Sequence, residues 1–149
     1  MCSFARVFFC LSARVGPSTE ETEIKAGMLE AEKRLSGGAL NAALANELGK
    51  LIAEFTGRGA QKSRAFVQQD VVVCVLEEGA TKAEQNLVAA GKADLVRLQR
   101  DALQRAMGPQ LIEAVERLTH RTVKTFLSGM DETGGDAVEA FVLEPEPPG

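Results

Sequence analysis

The sequence predicts an α+β domain in the order α-ββ-αα-ββ: a four-stranded, mostly antiparallel sheet made of two hairpins, with helices packed on one face. Three observations carry that reading. Residues 40–55 hold an apolar stripe at helical spacing, two β-branched and aromatic stretches are each divided by turn residues, and a long second helical pattern separates those stretches.

Leu40, Leu44, Leu48, Leu51 and Phe55 recur at intervals of four, four, three and four, which places them on one helix face. Gly57, just beyond, supplies the left-handed stop that ends this helix near Thr56. "SRAFVQQDVVVCVLEE" then reads as a hairpin of about 63–68 and 71–77 turning on "QQD". Its second strand is apolar from Val71 to Leu76, the pattern of a central strand covered on both faces, within the domain or by a dimer partner. Cys74 inside it reads as a small buried hydrophobe.

"TKAE" at 81–84 fits a capping box: the Thr81 hydroxyl accepts from the amide three residues on, and Glu84 reaches back. A short helix runs from there to about Ala90, and Gly91 breaks it. Leu95, Leu98, Ala102, Ala106, Leu111, Val115 and Leu118 follow at helical spacing and predict one core-facing side. Pro109 lacks an amide donor and crowds the preceding turn, which predicts a kink or break near Gly108. After His120, "RTVKTFLSGM" and "DAVEAFVL" flank "DETGG" and form the second hairpin. The Pro-rich tail at 145–149 cannot continue a central strand. Residues 38–144 are thus read as the domain. Residues 1–37 read as an extension or linker, disordered at its start or not native, with Met1 and Met28 both open as the translation start.

Composition narrows the function classes. The net charge of -4 is concentrated at one end: residues 119–149 carry two basic and six acidic groups, whereas residues 38–118 carry ten of each. No basic stripe results, and Trp and Tyr are absent, so a nucleic-acid surface has neither charge nor stacking platforms. Three scattered cysteines with no C-x-x-C and a single histidine leave no metal site with sensible spacing, and they suit a reducing cytoplasm. No stretch approaches the roughly 20 apolar residues of a spanning helix.

The opening helix, "GRG" at 57–59, the apolar strand at 71–76, "TKAEQNLVAAGK" at 81–92, Arg97 and Arg100, "IEAVERLT" at 112–119 and the closing "AFVLE" together resemble the MpsC-like proteins. These are small bacterial domains named for a sodium-translocating, membrane-potential-generating system. The resemblance covers about residues 38–143. Two departures stand out, Ala60 where the family tends to have proline and His120 where it tends to have glycine. The resemblance implies a cytoplasmic accessory component tied to ion or membrane-potential physiology, and it brings no catalytic residues, cofactor or metal.

The candidate sites are few. Arg58, Lys62 and Arg64 surround two glycines and form a candidate anion-binding loop, which Arg97 or Arg100 of the long helix would complete if they converge on it. The plainer reading is a helix stop followed by a solvated basic strand edge, with Arg97, Asp101 and Arg105 as i,i+4 neighbours on a charged helix face. His120 is a candidate general base without a nucleophile or orienting partner in view, and reads more simply as a helix-exit residue. Asp131, Glu132 and Asp136 lack the spacing of a calcium loop and read as turn residues. The leading expectation is a non-enzymatic regulatory subunit, a homodimer and component of a membrane transport complex. The alternatives are a sensor of small anions or metabolites at Gly57–Arg64, and, third, an enzyme with His120 as base.

Overall fold

The computed structural model describes residues 35–149. The readings of the N-terminal extension and of Met28 as a start lie outside the described residues.

Helix α1 spans Gly37–Thr56, and its stripe meets the core through Leu40, Leu44, Leu48 and Ile52, all buried. It ends where the sequence places its stop: Gly57 is left-handed at φ 74, and its amide donates to the Ala53 carbonyl. Strands β1 (Lys62–Gln68) and β2 (Val71–Glu77) form the first hairpin, with Gln69 in the left-handed region at its turn. Helix α2 (Lys82–Ala89) begins on a complete capping box, the Glu84 amide donating to Thr81 Oγ1 and the Thr81 amide to Glu84 Oε2. Helix α3 spans Ala93–Thr119, and strands β3 (Val123–Met130) and β4 (Ala137–Leu143) close the chain as the second hairpin.

The four strands form one sheet in the order β1-β2-β4-β3, with every neighbouring pair antiparallel. The fold is therefore the α+β arrangement that the residue pattern predicts, and β2 is central. Helices α1 and α3 pack on each other and on one face of the sheet. Register sets what lies beneath them. Ala65, Cys74, Glu139 and Ser128 are directly opposite one another across the four strands, and the next inner row runs through Val67, Val72, Phe141 and Phe126. The Phe126 and Phe141 rings stack at 4.9 Å, and Gly108 of α3 lies against Phe126, where an added Cβ would sit 3.5 Å from the ring.

Of the kink or break expected at Gly108–Pro109, the break does not occur: helix α3 runs through as one 27-residue helix. Pro109 is exposed, so the Arg105 carbonyl that loses its intrahelical donor is on the solvent side and can bond to water. The core face of α3 needs correction. Leu95 and Leu98 are 52% and 66% exposed, and Ala102 and Ala106 are exposed too. The buried line instead runs through Val96, Arg100, Met107 and Leu111, joining the predicted stripe only from Leu111 onward. Both lines have helical spacing, and the approach of α2 and of Gly134, 3.2 Å from the Val96 side chain if given a Cβ, selects the second.

Candidate functional site

Two features stand out once the layers are assembled: a buried polar cluster between α2, α3 and the sheet, and an open apolar face on the far side of the sheet.

The cluster starts from Arg100. Among the long-helix arginines it alone has no acidic side chain three or four residues away, while Arg97 pairs with Asp94 at 3.8 Å on the exposed side. Arg100 turns inward instead. Its Nε donates to Glu84 Oε1 at 2.6 Å and its Nη2 to Glu84 Oε2 at 2.8 Å and to the Gly79 carbonyl at 3.0 Å. Burial pushes Glu84 up, but the Arg100 guanidinium and the Thr81 amide and hydroxyl outweigh it and hold the carboxyl below its ordinary value. The helix-starting glutamate of α2 thus also locks α2 to α3.

Arg58 reaches the same loop from the other side, its Nη1 donating to the Ala80 carbonyl at 2.9 Å. Arg58 and Arg100 therefore converge on residues 79–80 and line one small closed cavity. Lys62 and Arg64 do not join them. Both sit on β1 beside Glu77, with Arg64 in direct ion contact and Lys62 at 4.0 Å. Of the five sequence-selected cations, two meet and three stay apart, and the two that meet are directed at carbonyls and a carboxylate of the chain itself.

Glu139 was not among the sequence candidates, yet among the described residues it is the least solvated acid, at 0% exposure. Its Oε1 accepts from Gln104 Nε2 at 2.7 Å, while its Oε2 and Gln104 Oε1 have no donor. Burial pushes Glu139 up to about 7, against the opposing effects of Gln104, Ser128 and the Arg100 charge. Its register partner Cys74, also fully buried, is pushed up to about 12 by burial and by Glu139, which suits the small-hydrophobe reading. The signal in the sequence was a lone glutamate at an inward position of "AVEAFVL", between Ala137 and Phe141.

His120 closes α3 in the left-handed region at φ 56, its amide donating to the Glu116 carbonyl. It is the helix-exit residue that the sequence suggests. Asp131 organises the β3–β4 turn, accepting from the Thr133 hydroxyl at 2.6 Å and the Gly135 amide at 2.8 Å. Among the described residues no group of three or more His, Cys, Asp or Glu is placed to hold a metal. Sequence reasoning also missed Arg121, which donates to the Gln69 carbonyl, Asp70 and the Glu144 carbonyl, tying the first hairpin turn to the chain after β4.

The open face follows from strand alternation. Phe66, Val73, Ala140 and Leu127 form one row across all four strands, flanked by Val75 with Val138 and by Val71 with Val142. Phe66 is 50% and Leu127 59% exposed, and none of the described helices packs on this side. Four strands at about 4.8 Å and seven residues at about 3.3 Å make this face roughly 19 by 23 Å. Its middle row is uncharged, with Lys62, Arg64 and Glu77 at one corner of the same face, and this uncovered apolar row is the candidate interaction surface. The coverage of both faces that the β2 pattern predicts is met on one face only within these residues.

Among the described residues no helix is long and apolar enough to cross a membrane. No curated protein and no solved structure matches the chain. Residues 36–145 match the family described as the Na+-translocating membrane potential-generating system (MpsC), and this span contains every helix and strand above. The chain therefore belongs to the MpsC family.

Proposed function

We propose that the chain is a non-enzymatic, cytoplasmic accessory subunit of a sodium-linked, membrane-potential-generating system, acting by protein–protein contact, and that the open sheet face pairs with the same face of a second copy. The observation that carries this reading is the uncharged row Phe66–Val73–Ala140–Leu127 on an uncovered face. Two such faces stack at about 10 Å with the charged corner of Lys62, Arg64 and Glu77 left at the rim. A face without charge at its centre suits its own copy, since pairing leaves no buried ion unmatched. The family description supplies the physiological setting.

Light-scattering mass after size exclusion tests the dimer. A mass of twice 15.9 kDa at micromolar concentration supports it, and a monomer at the highest soluble concentration removes it. Crosslinking in cells tests the accessory role separately, with recovery of a membrane-complex subunit supporting it and its repeated absence counting against it.

A further inference from the structure

We propose that Glu139 is a proton-binding site: its Oε2 carries a proton and donates it to Gln104 Oε1, closing a two-bond acid–amide ring with the Gln104 Nε2 to Glu139 Oε1 bond. The geometry leads there directly. A carboxyl and a primary amide are planar forks of matching span, and these two are already joined at one corner at 2.7 Å. The two atoms left over, one on each fork, are both acceptors, both buried and both without a donor. Two unpaired acceptors on adjacent groups are costly in a dry interior, and one proton satisfies both.

The surroundings favour the neutral acid. Register places Cys74 of β2 on one side of Glu139 and Ser128 of β3 on the other, neither of them a cation; the Ser128 hydroxyl favours the ionised form, and burial outweighs it. Facing it from α3 is Arg100, whose charge is already matched by Glu84 of α2. Arg58, from the loop after α1, lines the shared cavity and is directed at the Ala80 carbonyl. Asp101 and Arg105 of α3 stand at the open cleft that Gln104 and Ser128 also line. Burial then holds the carboxyl near 7, so that its occupancy changes close to neutral pH.

The experiment is a carbon-13 NMR titration of the carboxyl resonances in the full chain, labelled at glutamate. The Glu139 resonance is assigned through the backbone and confirmed by its loss in Glu139→Gln. The expected result is a neutral-acid shift at pH 5.5 that moves to the ionised position with a midpoint more than about one unit above an ordinary glutamate. Glu139→Gln, which keeps an amide–amide ring, is expected to fold with a melting temperature unchanged between pH 5 and 7. An ionised shift at pH 5.5, or an ordinary midpoint, overturns the proposal and leaves a carboxylate solvated by water in the adjoining cavity. If Glu139→Gln does not fold, the wild-type titration alone decides between these outcomes.

Discussion

Glu84 and Arg100 meet as a two-bond fork, Nε to Oε1 at 2.6 Å and Nη2 to Oε2 at 2.8 Å, with both side chains nearly dry. Removing one partner leaves the other charge buried and unmatched. Arg100→Ala is therefore expected to lower stability by about 3–5 kcal/mol in denaturant unfolding. Arg97→Ala, one turn earlier but exposed, is expected to change it by less than about 0.5 kcal/mol. Equal effects would show that the fork does not hold α2 to α3.

The two buried acids act on stability in opposite directions with pH. Glu84 lies below its ordinary value of 4.5 in the fold, so its contribution is present above that value and is lost as pH falls through the folded one. Glu139 lies near 7 against an ordinary 4.5, so from pH 4.5 upward the unfolded chain ionises before the folded one. Its effect is a loss on the order of 3 kcal/mol between pH 4.5 and 7, level above that range. Stability should thus peak on the acid side of neutrality, and an unfolding series that rises steadily from pH 5 to 7 would contradict this.

Leu127→Glu and Phe66→Glu place a charge on the open face without touching the core. Each is expected to leave the melting temperature of the monomer within a few degrees of wild type and to convert a dimer to a monomer in light scattering. A dimer that survives both changes would locate its interface elsewhere, the exposed Leu95–Leu98 side of α3 being the first place to look.

His120 holds a left-handed conformation that a β-carbon disfavours. His120→Gly is expected to stabilise by up to about 1 kcal/mol, glycine's added freedom in the unfolded chain offsetting part of the relief. A loss of stability would mean that the imidazole makes a contact worth more than the backbone strain.

Much of this architecture is local, and local signals are legible. The stripe from Leu40 to Phe55, the Gly57 stop, the Thr81–Glu84 box and the two turn clusters each act within a few residues, so they hold whatever surrounds them. The sequence by itself therefore determined the element order, both hairpins and, through the apolar run from Val71 to Leu76, the central place of β2. Tertiary structure alone decided which of two apolar lines on α3 faces inward, because Leu95 with Leu98 and Val96 with Met107 obey the same helical period. It also decided that Arg100 meets Glu84, sixteen residues away, and that Gln104 meets Glu139, thirty-five away. Charge pairing across such separations depends on how layers stack, and dehydration then makes those few polar contacts strong.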